Sequence, residues 1–303
     1  MKKILTISLL VLGILVMSGC QKESSNLDVT DREGNQVSVP RTINKIVSTA
    51  PSNTEVLIEL GLSDKIVAVD KYSPKDTLNS DVTVINFREP DAEALIALNP
   101  DIIIASGHNK VGDEDPFKLL KEAGIAVVYI PSATSLQGIL DDILFIGEVT
   151  NKKVEATNIT KDLQDEFDEI KAIASTITNK VDVYFEIGDY SGKLYTFGSE
   201  TFLNEVVTLV GGNNIYANET SWISVSSEDI IIKNPDVIIS NQDYNSEIIT
   251  NIKNRDGFET INAVINDKIF VVNGNKTSRG SNLIIEGIKQ VAEALYPDYY
   301  DYN

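Results

Sequence analysis

His108 is the only histidine and Cys20 the only cysteine in the chain, and together they limit the side-chain chemistry on offer. A single imidazole can act as the base of a serine triad, but no partner for it is marked in the sequence. The one thiol lies beside an N-terminal apolar stretch rather than in a catalytic setting, which argues against thiol chemistry. No Gly-x-Gly-x-x-Gly turn, phosphate loop or Gly-x-Ser-x-Gly elbow is present. A bare zinc or manganese site would want several histidines. The two methionines, Met1 and Met17, both precede Cys20, so a haem held by Met and His together is excluded once the leader is cut, whereas His108 or a tyrosine could serve alone. Any metal is therefore expected inside an organic chelator, and no resident cofactor is expected.

Two acids, Glu93 and Glu228, occupy equivalent places in a passage written twice. Residues 93–106 read EALIALNPDIIIAS and residues 228–241 read EDIIIKNPDVIISN. Each copy predicts a helix ending at Asn-Pro (Asn99-Pro100, Asn234-Pro235) and feeding a buried strand. Asp91 and Ser226 are the expected N-caps, which places each glutamate in a first turn, where the helix dipole favours it. Two further echoes keep the same order: 53–61 with 202–211, and 117–130 with 258–272. Repetition in order predicts two similar lobes, and two lobes leave a cleft for a ligand.

The remaining elements follow from periodicity. Leu27 to Val39 reads as a hairpin, Ile46–Ser48 as a strand, and 50–60 as a helix closed by Gly61. Strands are expected at 65–69 and 126–130, with a helix at 116–123; alternating strands and helices imply parallel βαβ units. A helix is expected at 135–149 and a longer one at 152–177. In the latter, Ala156, Ile159, Leu163, Phe167, Ile170 and Ile173 form one apolar stripe. It lies between the repeats and reads as a connector. The second lobe then runs from a strand at 181–187 to a helix at 281–296, and the tail 296–303 shows no periodicity. The fold class is thus α/β: two Rossmann-like lobes with parallel sheets, joined by a single long helix.

The ends of the chain place it in a compartment. Lys2 and Lys3 precede a mostly apolar run, Ile4 to Val16, which is short for a membrane span. It ends at Met17-Ser18-Gly19-Cys20, similar to a bacterial lipobox, in which cleavage precedes the cysteine and the thiol carries lipid. Having no cysteine partner in the chain, Cys20 is free for that role. The expected parts are a leader at 1–19, a polar tether at 20–28, a first lobe at 29–150, a connecting helix at 151–178 and a second lobe at 179–303. The formal net charge of -19 becomes -21 when Lys2 and Lys3 leave (-19 - 2), a surface that repels nucleic acid.

These residues carry a family resemblance. The run Ile46-Val47-Ser48-Thr49-Ala50-Pro51-Ser52-Asn53-Thr54-Glu55 resembles the opening strand and helix of the iron-siderophore, haem and vitamin B12 binding proteins of ABC importers. Glu93 with Asn99 to Ile104 resembles their first-lobe helix and strand. Trp222 to Glu228 resembles the matching second-lobe stretch, above all in vitamin B12 binders. The likeness runs from about Val29 to Pro297. It implies a class III periplasmic binding fold with a stiff helical hinge, in which Glu93 and Glu228 dock onto arginines of a permease. It also implies ligand contacts from loops after the strands. The candidates are Tyr72, Arg88 and His108 in the first lobe and Tyr190, Trp222, Tyr244 and Arg279 in the second. Rings would cover a macrocycle or catecholate, and arginines would neutralise an anionic chelate. Trp222 stands at the family's spacing from its glutamate; the others are placed by position.

The function expected is that of a lipid-anchored, extracellular substrate-binding protein of an ABC importer in a single-membrane bacterium. As a monomer it would capture an iron chelate or a corrinoid for partner permease and ATPase subunits, without catalysis. The rivals are a surface-anchored hydrolase using His108 or paired carboxylates in the cleft, and a binder of bare metal ions.

Overall fold

The computed structural model describes residues 26–110, 112, 114–190 and 192–302. The expected leader, Cys20 and the first part of the tether lie outside the described residues.

The first lobe opens with an antiparallel hairpin, β1 (Asn26–Thr30) and β2 (Gln36–Pro40). Asn26, Leu27 and Asp28, expected in the tether, belong to it. Its main sheet comprises β3 (Ile46–Ser48), β4 (Ile66–Asp70), β5 (Thr83–Ile85), β6 (Ile102–Ser106) and β7 (Ala126–Ile130). All are parallel, in the order β5-β4-β3-β6-β7. Between them run α1 (Pro51–Glu59), α2 (Ala92–Leu98) and α3 (Lys118–Glu122). α4 (Leu136–Val149) and the 22-residue α5 (Lys153–Ala174) follow.

The second lobe has a parallel sheet of β8 (Asp182–Glu186), β11 (Asn213–Asn214), β13 (Val237–Ser240) and β14 (Ile269–Val271), ordered β11-β8-β13-β14. Its helices are α6 (Phe202–Leu209), α7 (Ser227–Lys233), α8 (Ile248–Lys253), α9 (Asn262–Ile265), α10 (Gly274–Ser278) and α11 (Ile284–Leu295). The sequence reading of parallel units alone missed a separate antiparallel sheet here. It is built from β9 (Gly188–Tyr190), β10 (Lys193–Phe197) and β12 (Trp222–Val225). These strands are short, and α6 and β11 separate β12 from β10, so their local pattern is weak.

Alternation along the central strands divides the core. Ile46, Ile102 and Ile104 face one apolar cluster, while Val47, Ile103 and Ala105 face another. In the second lobe Val183, Phe185, Val237 and Ile239 join that first cluster, while Tyr184 and Ile238 turn to their own. One continuous core thus runs from the inner face of one sheet to the inner face of the other. The helix between the lobes completes it: Ala156, Leu163, Phe167 and Ile170 of α5 lie in this shared cluster.

The two copies of the repeated passage fold alike. Asp91 caps α2 by accepting from Ala94 N–H (3.0 Å), and Ser226 caps α7 by accepting from Asp229 N–H (3.2 Å). The tail is not loose. The Tyr296 hydroxyl accepts from Val181 N–H (2.9 Å) and donates to Gly211 C=O (2.9 Å), and buried Tyr300 donates to Val210 C=O (3.1 Å). Anchorage through hydroxyls leaves no periodic trace in a sequence. No helix among the described residues is long and apolar enough to cross a membrane.

Candidate functional site

A cavity of about 300 Å³ lies where the two lobes meet. The first lobe supplies Ala50 to Asn53 at the start of α1, Ser106 and His108 after β6, and Ile130 to Ala133 after β7. The second supplies Phe202, Trp222 and Ser278 to Gly280, and α4 adds Asp142. The walls are thus the C-terminal ends of parallel strands and the helix start that follows β3, the usual place for a ligand in such sheets.

Of the seven expected contacts, the fold brings three to this cavity: His108, Trp222 and Arg279. Trp222 opens β12 opposite Phe197 in register, and its ring stands edge-on to Phe197 and Phe202 (centroids 6.1 and 6.2 Å). Two aromatic neighbours hold the indole, yet 48% of it stays exposed, which leaves a platform for a ligand. His108 Nε2 is 2.8 Å from Ser132 Oγ.

Tyr72 and Arg88 line an adjoining recess with Lys71, Val84, Ile85, Asn86 and Phe87. There Arg88 lies over the Phe87 ring and Lys71 over Tyr72. Tyr190 and Tyr244 line neither space. Tyr190 packs on Tyr195 (5.5 Å), and the Tyr244 hydroxyl donates to Gln242 Oε1 (3.3 Å).

Arg279, offered by the sequence as a cation for an anionic chelate, is already engaged by an internal acid. Its guanidinium forms an ion pair with Glu55 of α1, donates to Tyr72 C=O (3.1 Å), and donates to Asn275 Oδ1 (2.8 Å). Ser281 Oγ donates to the other Glu55 oxygen (2.6 Å), and Asn282 Nδ2 reaches Glu59 (3.4 Å). The loop after α10 is therefore strapped from the second lobe onto α1 of the first. A second link runs the other way across the junction, where Leu136 N–H at the start of α4 donates to Glu205 of α6 (2.6 Å). Asp142, the other charged side chain of the wall, receives the Arg32 guanidinium (2.7 Å). Burial nevertheless pushes its carboxyl up to about 6, against the pull of Arg32.

Sequence reasoning missed Glu55, Ser132, Asp142 and Phe202. For Glu55 a signal existed: Asn53, Thr54 and Glu55 give α1 a run of polar residues, and all three are buried. Buried polar runs need partners. The expected docking acids, Glu93 and Glu228, are both exposed in the first turns of α2 and α7.

Residues 46–275 match the periplasmic binding protein family. The chain is 30% identical to the uncharacterized ABC transporter substrate-binding lipoprotein YvrC of Bacillus subtilis (strain 168), over 96% of each protein. A cobalamin-binding protein of Halobacterium salinarum (strain ATCC 29341 / DSM 671 / R1) shares 27% identity over 83% of this chain and 69% of its own. Among solved structures, a possible iron-binding (periplasmic solute-binding) protein from Staphylococcus epidermidis ATCC 12228 matches with a TM-score of 0.76 and 32% identity. That match covers 84% of this chain and 100% of the other. The periplasmic vitamin B12 binding protein BtuF of Vibrio cholerae matches with a TM-score of 0.69 and 23% identity over 84% and 97% of the two chains, a likeness of fold alone. With two lobes, one long connecting helix and a family match over most of its length, the chain belongs to the periplasmic binding protein family, among the substrate-binding proteins of ABC importers.

Proposed function

We propose that this chain is a lipid-anchored extracellular binding protein that takes up a metal already enclosed in an organic ligand, an uncharged corrinoid before an anionic iron chelate or haem. It would present this cargo to an ABC permease driven by ATPase subunits. The observation that carries the reading is the interlobe cavity, which joins a half-exposed indole to walls whose charged side chains, Arg279 and Asp142, are each matched by a partner. A guest without net charge suits such walls, because it leaves no charge uncompensated on either side. Among the described residues no group of three or more His, Cys, Asp or Glu is placed to hold a metal ion, which favours an enclosed metal over a bare one. The name of the Halobacterium relative points the same way. The anchor would be Cys20, supported by the leader before it and by the lipoprotein YvrC. Docking would use Glu93 and Glu228, one from each lobe.

The deciding experiment is calorimetric titration of the mature chain with cyanocobalamin, ferrichrome, haem and ferric citrate, and with zinc and manganese ions. Binding of cyanocobalamin without turnover is the expected result. Binding of none of the chelates, or tight binding of the free ions, overturns the proposal.

One contact favours a second reading. His108 Nε2 and Ser132 Oγ, 2.8 Å apart on the cavity wall, have the spacing of a base and a nucleophile in a hydrolase. No carboxylate among the described residues is hydrogen-bonded to the other ring nitrogen, where a triad would place one. Ester turnover that disappears in Ser132→Ala would favour this reading over transport.

A further inference from the structure

The pairing of Glu55 with Arg279 reaches beyond holding the lobes together. Both side chains are largely buried, with 5% and 16% exposure; Arg279 lines the cavity, as does the start of α1, and Glu55 pairs with it from further along that helix. The other partners of Arg279, Tyr72 C=O and Asn275 Oδ1, are neutral, so Glu55 is its one charged partner among the described residues. Arg279 offers only N–H groups. α1 begins at the cavity wall after Ala50, which provides no side-chain cap, so the positive end of the helix dipole also faces this corner. Without Glu55 the corner would be a ready-made receptor for an anion. With Glu55 in place the anion site is already filled from inside the protein, and Ser281 fixes the carboxylate by donating to its second oxygen (2.6 Å).

We infer that Glu55 is a specificity-determining residue: a built-in counter-anion that closes the cavity to anionic chelates and leaves it open to neutral guests. An incoming carboxylate or catecholate would find the Arg279 guanidinium already neutralised by Glu55, in surroundings too buried for solvent to screen the pair. The assignment rests on reading the cavity as the ligand site. Its consequence for anions, however, can be measured without knowing the natural cargo.

The test uses the mature chain in three forms: wild type, Glu55→Gln, and Glu55→Gln combined with Arg279→Gln. Each is titrated with millimolar citrate and with ferric citrate, following the thermal midpoint and the emission of Trp222, and with cyanocobalamin by calorimetry. In wild type, citrate is expected to move neither midpoint nor emission. In Glu55→Gln the unmatched guanidinium should bind citrate and ferric citrate about tenfold or more tightly than wild type does, as expected for a charge-assisted contact. The double variant should lose that gain. If Glu55→Gln unfolds in chloride buffer, its recovery in citrate, absent from the double variant, is the same result.

Three findings overturn the inference: no gain of anion binding by Glu55→Gln, an equal gain by the double variant, or ferric citrate binding to wild type as tightly as to Glu55→Gln. The transport reading fails separately. Wild type that ignores every chelate while Glu55→Gln gains citrate sinks the transport reading and keeps this one; wild type that takes cyanocobalamin while Glu55→Gln gains nothing does the reverse.

Discussion

Asn99 and Asn234 hold the same left-handed backbone conformation at the ends of α2 and α7, with φ 49° and ψ 60° in one lobe and φ 48° and ψ 61° in the other. Each precedes a proline, and each turns the chain from a repeated helix into a buried strand. Their side chains differ in duty, since Asn234 Oδ1 accepts from Asn262 N–H (2.8 Å), clipping α9 to the turn.

The two positions are therefore expected to separate under substitution. Asn99→Gly should leave stability within a few tenths of a kcal/mol, because glycine accepts this conformation freely. Asn234→Gly should cost about 1 kcal/mol for the lost hydrogen bond. Valine at either site should cost about 1–2 kcal/mol, the strain of a left-handed L-residue. Urea unfolding of the six-member set (wild type and five variants, with alanine at Asn234 as the fifth) measures this, and equal costs for the two glycine variants would contradict the assignment.

This pair also shows what the chain discloses before it folds. The repeat, its caps and its buried strands were legible because each is local: a cap lies three residues from the amide it serves, and a strand buried on both faces reads as an unbroken apolar run. The site was legible only in part. Trp222 announced itself by its spacing to Glu228, and His108 by following a strand. The partner of Arg279 was hidden, because Glu55 stands 224 residues away in sequence and only the packing of the lobes joins them. Tyr190, chosen for following a strand, falls outside the cavity because the chain after β8 becomes the antiparallel sheet instead; Tyr244, after β13, falls outside it as well.

Trp222 is the only tryptophan, so ligand entry has a single reporter. Cargo stacked on the exposed indole should quench its emission, and Trp222→Ala should weaken binding about tenfold, in line with the loss of one aromatic contact. Trp222→Phe should recover part of that loss. Affinity unchanged in the alanine variant would remove Trp222 from the site.

Asp142 gives a pH dependence of defined sign. Its folded-state pKa is raised, to about 6, chiefly by burial. Between the ordinary carboxylate value near ~3.9 and this one, the folded protein keeps a proton that the unfolded chain has released, so stability falls as pH rises through that window and levels off above it. Asp142→Asn lacks this contribution. The stability of wild type relative to the asparagine variant should therefore drop by ~2–3 kcal/mol from pH 4 to pH 7. Urea unfolding at a series of pH values provides the measurement, and parallel curves would refute it.

Reversing both docking acids, Glu93→Lys with Glu228→Lys, should abolish uptake of cargo by cells while leaving affinity for cargo in solution intact, since both residues are exposed outside the cavity. Each single reversal should show an intermediate loss. Normal uptake by the double variant would rule out their docking role.

Gly147 lies where α4 turns into α5. Lys152 N–H donates to its carbonyl (2.6 Å), and a Cβ at this position would overlap Ala156 of α5. Gly147→Ala should prise the two helices apart and lower stability by about 1–3 kcal/mol, the usual cost of overpacking. Thermal unfolding of the variant checks this; an unchanged midpoint would mean that the elbow yields.

A body whose halves share one oily interior, and are buckled together besides, has little freedom to advertise its contents by changing outline. Full and empty copies would then look nearly alike to whatever receives them. Emptying one would then call for a force applied from outside, enough to part the buckle that Arg279 and Glu55 make.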